Sequence, residues 1–259
     1  ALNPEESETH YKLGLDFAKH ALYKNSLEEF DLALKHNPGN HKVHRKKGLV
    51  HFGLKQYPMA LQEFEKVLDN DPGSVQNRIN LGMVHYAMGN KDLARKQWQA
   101  AVALHENDND AKALNNIANL YKEENSLPQA IEYYRAALQQ EPQNSMYLNN
   151  LADSYRLQGN LEQAENILNQ SLAADPRGML THFTLGMLYR DWDRKPEAIQ
   201  SFIQSIKINP YHTEAHFQLA RIYLETQDKT SARLSIQQAL QVEPANKKYL
   251  ELFSRIETS

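Results

Sequence analysis

The chain has 259 residues, enough to bury a large core, and a formal net charge of −3 from 29 basic and 32 acidic side chains. Both signs are spread evenly along it, which leaves no charge asymmetry to recruit nucleic acid or an anionic membrane, and no apolar run is long enough to span a bilayer. The lack of cysteine excludes disulfides, thiol nucleophiles and cysteine-based zinc sites, and leaves the compartment open between the cytoplasm and a bacterial periplasm or envelope.

In chain order, residues 1–6 read as a lead-in to the first helix, with Asn3 as its N-cap and Pro4 in its first turn. No stretch reads as a secretory signal. The start at Ala1, without methionine, is compatible with a signal segment, an anchor or more chain upstream. A unit of 34 residues then recurs at 7–40, 41–74, 75–108, 111–144, 145–178, 179–212 and 213–246, and Asn109 with Asp110 breaks the register once. Residues 247–259 read as one more amphipathic helix, with Leu250, Phe253 and Ile256 on one face. It caps the last unit, as repeat arrays require; the alternative is the first helix of an eighth unit.

Aligned on this period, the eighth column holds only Gly14, Gly48, Gly82, Ala118, Ala152, Gly186 and Ala220. A larger side chain there would push two paired helices apart. The twenty-fourth column holds the large residues Phe30, Phe64, Trp98, Tyr134, Leu168, Phe202 and Ile236. With the small residues of the twentieth column (Ser26, then alanines) and the aliphatic twenty-eighth, it follows helical spacing and makes one buried stripe. Pro38, Pro72, Pro142, Pro176, Pro210 and Pro244 stand in the thirty-second column, where a second helix must stop. Pro58, Pro128 and Pro196 stand in the eighteenth, near the first turn of that helix, where proline is tolerated. Each unit is therefore a helix-turn-helix, and the fold class is all-α.

These columns resemble the tetratricopeptide repeat, whose pattern is a large residue, Leu-Gly, Tyr, then Ala-x3-Phe and Pro. The fourth unit carries it as Leu114, Ile117, Ala118, Tyr121, Ala130, Tyr134 and Pro142, and the fifth as Leu148, Leu151, Ala152, Tyr155, Ala164, Leu168 and Pro176. The resemblance covers residues 7–246 and implies a right-handed superhelical solenoid whose first helices line a concave groove. Two departures stand out: Glu106 replaces the proline of the third unit, where a bend is expected, and Lys47 occupies an apolar position of the second.

Eleven histidines invite a metal or catalytic reading. His10, His44, His182 and His216 share the fourth column, and His51 and His85 the eleventh, so they are expected to replace aromatic packing residues. His41 and His44, near His36 and His51, have no carboxylate at matching spacing and predict no metal site. The run Asn107-Asp108-Asn109-Asp110 lacks the glycine and terminal glutamate of a calcium loop and reads as a cap for the next helix. There is no phosphate-cradling glycine loop and no assignable nucleophile–base set. No enzyme activity and no cofactor are predicted.

The resemblance places columns two, five, six, nine, twelve and thirteen on the groove. Column six contains Asn80, Asn116 and Asn150, and Asn115, Asn149, Asn119 and Asp153 stand in columns five and nine. An asparagine offers both a donor and an acceptor to a peptide backbone, and some members of the family, among them the O-linked N-acetylglucosamine transferases, hold peptides on such a ladder. Lys42, Arg45 and Lys46 form a basic patch, with Lys47 beside them and Lys112 farther along. The expectation is a scaffold that binds an extended peptide or partner protein, one with an acidic segment or a free carboxylate. A strict carboxylate clamp is not expected, since Tyr11 and Leu15 replace its Lys and Asn. Leu49, Phe52, Ile79, Met83, Tyr86, Phe183, Met187 and Phe217 are candidate apolar anchors. Two alternatives stand beside this reading: a self-assembling, homo-oligomeric factor of a bacterial envelope or organelle complex, and the substrate-recruiting arm of a larger enzyme.

Overall fold

The computed structural model describes residues 3–104 and 110–258, and among these the chain forms fifteen helices and no strand. The helices are α1 (Pro4–Lys19), α2 (Tyr23–His36), α3 (His41–Gly53), α4 (Tyr57–Asn70), α5 (Val75–Ala87), α6 (Lys91–Ala103), α7 (Asp110–Glu123) and α8 (Leu127–Gln140). They continue with α9 (Ser145–Leu157), α10 (Leu161–Ala174), α11 (Met179–Asp191), α12 (Lys195–Ile208), α13 (Thr213–Glu225), α14 (Lys229–Val242) and α15 (Lys247–Thr258). The Asn107–Asn109 run, the departure at Glu106 and the outermost residues of the lead-in and of the last helix lie outside the described residues.

The chain divides into two compact units, Ala1–Leu120 and Tyr121–Ser259. In the first, α1 packs on α2, α3 on α4 and α5 on α6, and the first helices α1, α3 and α5 touch in succession. In the second, α9 packs on α10, α11 on α12 and α13 on α14, with α9 against α11 and α13 against α15.

Capping and proline chemistry set the helix ends. Asn3 Oδ1 accepts from the Glu5 and Glu6 amides at 3.1 and 3.4 Å, Asn40 does the same for α3 and Asn144 for α9. Pro58, Pro128 and Pro196 fall in the first turns of α4, α8 and α12. A less visible device is the turn between paired helices. In every repeat its residue has a positive φ: Ala21, Lys55, Gly89, Asn125, Gly159, Asp193 and Gln227, with angles from 56° to 87°. Only glycine enters this region without a Cβ clash, so Lys55 (φ 58°) holds it at a cost. Lys55→Gly is expected to raise stability by about 0.5–1 kcal/mol, seen as a higher urea midpoint at unchanged slope. An unchanged or lower midpoint would show that this turn stores no strain.

The core repeats one contact. The glycines of the eighth column sit under the ring of the twenty-fourth, and a Cβ built on Gly14, Gly48 or Gly186 would approach Phe30, Phe64 or Phe202 to 2.5, 2.7 or 2.5 Å. These rings are essentially fully buried, each contributing roughly 2–3 kcal/mol of transfer free energy. Ser26, the one hydroxyl in the twentieth column, donates to the Gly14 carbonyl at 2.7 Å and so is satisfied inside. At the far end, α15 buries Tyr249, Leu252 and Ile256 against Phe217, Ile236 and Ala239. The sequence pattern assigned Leu250 to this face; it is exposed instead, because Tyr249 takes the position, its ring tilted against Phe217 at 5.3 Å and its hydroxyl donating to Thr213 Oγ1 at 3.2 Å.

Candidate functional site

In the first unit, α3 turns Lys42, Arg45, Lys46 and Leu49 to one side, as helical spacing requires. Lys42 and Leu49 are exposed and Arg45 and Lys46 half-buried, and none of the three cations has an acid within ion-pairing distance among the described residues. Burial raises the Tyr11 hydroxyl of the neighbouring first helix above its ordinary value, and the Arg45 charge opposes that rise. Lys112 is exposed on α7.

The asparagine row is only partly at the surface. Asn80 and Asn115 are interior, each 3% exposed. Columns five and six turn partly between neighbouring helices, and Asn80 Oδ1 accepts from Gln76 at 3.2 Å. Asn116, Asn119, Asn149 and Asn150 are half-buried, and Asn149 donates to Thr181 Oγ1 at 2.9 Å. Of the apolar candidates, Leu49 and Tyr86 are exposed, whereas Ile79 and Phe217 are core residues and Phe183 packs on Phe202 and His212.

Lys47 does not belong to the basic patch. It points to the other side of α3, bonding Asp31 at 2.6 Å and lying 3.5 Å from Glu63. Glu63 is 5% exposed and takes a 2.6 Å hydrogen bond from His44 Nδ1 and one of 3.1 Å from Lys66. Burial alone would raise this carboxyl, but His44, Lys47 and Lys66 outweigh it and hold it at about 2. A lysine at an apolar position is thus the partner of a buried acid.

Three of the four fourth-column histidines are latches to the backbone, while His10 stacks on His36. The rings of His44, His182 and His216 lie 2.9, 3.3 and 3.0 Å from the carbonyls of Pro38, Pro176 and Pro210. Those carbonyls follow the ends of second helices and need a donor from elsewhere. His10 and His44 each also meet a glutamate nineteen residues on, Glu29 and Glu63.

The second unit presents a continuous chain of charged groups across its first helices. Lys122 bonds Asp153 at 3.3 Å, and Arg156 bonds the same carboxylate at 2.8 and 3.0 Å and also Asp191. Arg190 bonds Asp191 at 2.6 Å and Gln218 at 2.7 Å; Gln218 donates to Glu214 at 2.6 Å, and Glu214 accepts from Lys248 at 3.0 Å. Asp153, a predicted groove residue, is therefore already engaged by two cations. Periodicity alone did not reveal this chain, since its members stand in columns two, six, nine, twelve and thirteen.

Among the described residues no group of three or more His, Asp or Glu side chains is gathered as a metal site, and no helix is long and apolar enough to cross a membrane.

Three profiles described as tetratricopeptide repeat match the chain: one over residues 121–178, one over 11–75 and 79–145, which is half of the chain, and one over 181–212 and 213–246. None of these profiles is catalytic. No curated protein matches the sequence. Among solved structures, the chain is similar to one in the APC/C hetero-tetramer Cut9–Hcn1, at 16% identity and TM-score 0.75, over 90% of this chain and only 48% of the other. It is similar to a tetratricopeptide repeat protein from Parabacteroides merdae at 16% identity and TM-score 0.76, covering 98% and 99%. It is also similar to PilW, a widely conserved type IV pilus biogenesis factor, at 17% identity and TM-score 0.73, covering 82% and 97%. At such identities the likeness is one of fold.

Proposed function

The chain belongs to the tetratricopeptide repeat family, whose repeats build protein-interaction scaffolds, and from that premise we propose that it binds a partner protein as an extended segment laid along the faces of its first helices. The observation that carries this reading is the α3 face, where Lys42, Arg45 and Lys46 stand without acids beside exposed Leu49. Cations left unpaired on a structured helix attract an acidic segment, speed its encounter and lose strength with added salt. Within each unit half-buried amides, Asn116 and Asn119 in the first and Asn149 and Asn150 in the second, supply backbone contacts, each contributing only about 1 kcal/mol net.

The test is capture from the source organism's lysate, identification of the retained protein and titration of that protein. A variant carrying Lys42→Glu, Arg45→Glu and Lys46→Glu, matched to wild type in helicity and melting, is expected to bind about tenfold or more weakly, with a flatter salt dependence. A second variant, Asn150→Ala, tests the amide contribution. Equal affinity of all three proteins would sink the reading.

One observation favours a second reading, an assembly factor that associates with itself. In the first unit Leu22, Leu54, Met59, Met88 and Leu93 are all exposed at the turn edge of consecutive repeats, where the later repeats have polar residues except at Trp192. A solution mass above the monomer, lowered by Leu54→Ser with Leu93→Ser, would decide for it.

A further inference from the structure

The ion chain of the second unit ends at a pocket of about 530 Å³ between α13 and α15. Its floor is Phe217, Leu224 and Leu252, and its rim carries Arg221, Lys248 and Arg255 with Glu225 and Glu251. Two of these charges are spoken for: Lys248 bonds Glu214 at 3.0 Å while its Nζ lies 4.2 Å from the Phe217 ring centre, and Glu225 is 3.7 Å from Lys195. Arg221 and Arg255 have no carboxylate within 4.0 Å among the described residues. Arg221 has only a long 3.4 Å contact to Gln218 and a place over the Phe217 ring. Glu251 stands one helical turn before Arg255 and does not reach it. Elsewhere on this face the cations Lys122, Arg156 and Arg190 are bonded to acids. Two arginines left facing one apolar-floored pocket are therefore the exception on this surface.

We propose that this pocket takes an acidic side chain of the partner segment together with its apolar neighbour. The carboxylate meets Arg221 and Arg255, whose planar donor forks suit it, and the apolar side chain lies on Leu224 and Leu252. A pocket of this volume holds one to two residues. The proposal rests on the reading that the first-helix faces bind an extended segment, and it names what the segment carries at this end.

The probe is the blocked dipeptide N-acetyl-Phe-Glu-amide, titrated into the full chain while the methyl signals of Leu224 and Leu252 are followed by NMR. Its partner probe, N-acetyl-Phe-Gln-amide, has the same shape without the charge. Saturable shifts at both leucines are expected with the first, and about tenfold weaker binding with the second. The same loss is expected for the first probe on Arg221→Gln with Arg255→Gln, but not on Lys247→Gln, which changes a charge on α15 outside the pocket. Equal binding of the two probes, indifference to the arginine pair, or no saturable shift at either leucine overturns the proposal. The α3 charge variant leaves this dipeptide response intact, so failure here and failure of partner capture are told apart.

Discussion

Replacing Glu63 with alanine is expected to cost the first unit about 3–5 kcal/mol, the usual penalty for leaving buried charge without its partner. The reason is the arrangement around it. His44 places Nδ1 2.6 Å from the Glu63 carboxylate and Nε2 2.9 Å from the Pro38 carbonyl. The ring thus ties the carboxylate to the backbone, and Lys47 stands beside it around one interior acid. Removing the acid takes the partner from His44 Nδ1 and from Lys66 and leaves Lys47 only Asp31, at the surface. The penalty carries a pH signature. The Glu63 carboxyl is held at about 2 against an ordinary 4.5, so its contribution is full above 4.5 and is lost as pH falls toward 2. The stability gap between wild type and Glu63→Ala, read from urea unfolding followed by circular dichroism, is therefore widest near neutrality. It closes through this acid window. A gap that is small at neutral pH, or that does not narrow on acidification, would show that the cluster is solvated and adds little.

The all-α repeat fold was legible because side-chain volume has to recur wherever the same contact recurs: a glycine or alanine in column eight, a large residue in column twenty-four, a proline past the second helix in every unit but the third. The left-handed turn was not. Its seven occupants include Ala21, Lys55 and Gln227, whose chemistry gives no hint of a positive φ; Gly89 and Gly159 advertise it, and Asn125 and Asp193 do so more weakly. The basic face of α3 was readable from helical spacing, but the sequence could not say that Lys47 leaves it. Glu63, nineteen residues on, decides that, and the matching pair His10–Glu29 was the available signal. The ion chain of the second unit joins residues 28 to 35 positions apart. A repeat period announces such neighbours without saying which side chain reaches which. For the asparagines, burial depended on how closely adjacent first helices approach, a quantity that no column of residues records.

Gly82→Ala is expected to destabilise the third repeat by about 2 kcal/mol, against the usual sense of this exchange. In a helix interior, alanine for glycine normally gains close to 1 kcal/mol. Here the new Cβ would lie 2.2 Å from Trp98 Nε1 and 2.5 Å from its Cδ1. The indole has little room to yield, because its N–H donates to the Ile79 carbonyl at 3.1 Å and Tyr86 lies against it at 6.0 Å. Moving it strands a buried donor, a further cost of about 1–3 kcal/mol that the relaxed structure must weigh against the clash. The other repeats suggest the repair. Of the three alanines in column eight, Ala152 and Ala220 accompany the aliphatic Leu168 and Ile236 of column twenty-four, and Ala118 accompanies the single ring of Tyr134, never an indole; Ala220 and Ile236 share one core cluster. Trp98→Leu alone opens a cavity and is expected to cost about 2–4 kcal/mol. In the Gly82→Ala background it should cost at least 1 kcal/mol less, because the added methyl fills part of that space and has nothing left to strike. Four urea midpoints close the cycle. Strict additivity, or a Gly82→Ala protein as stable as wild type, would mean that ring size does not dictate the small residue of the eighth column. The Gly14–Phe30, Gly48–Phe64 and Gly186–Phe202 contacts would then need another explanation.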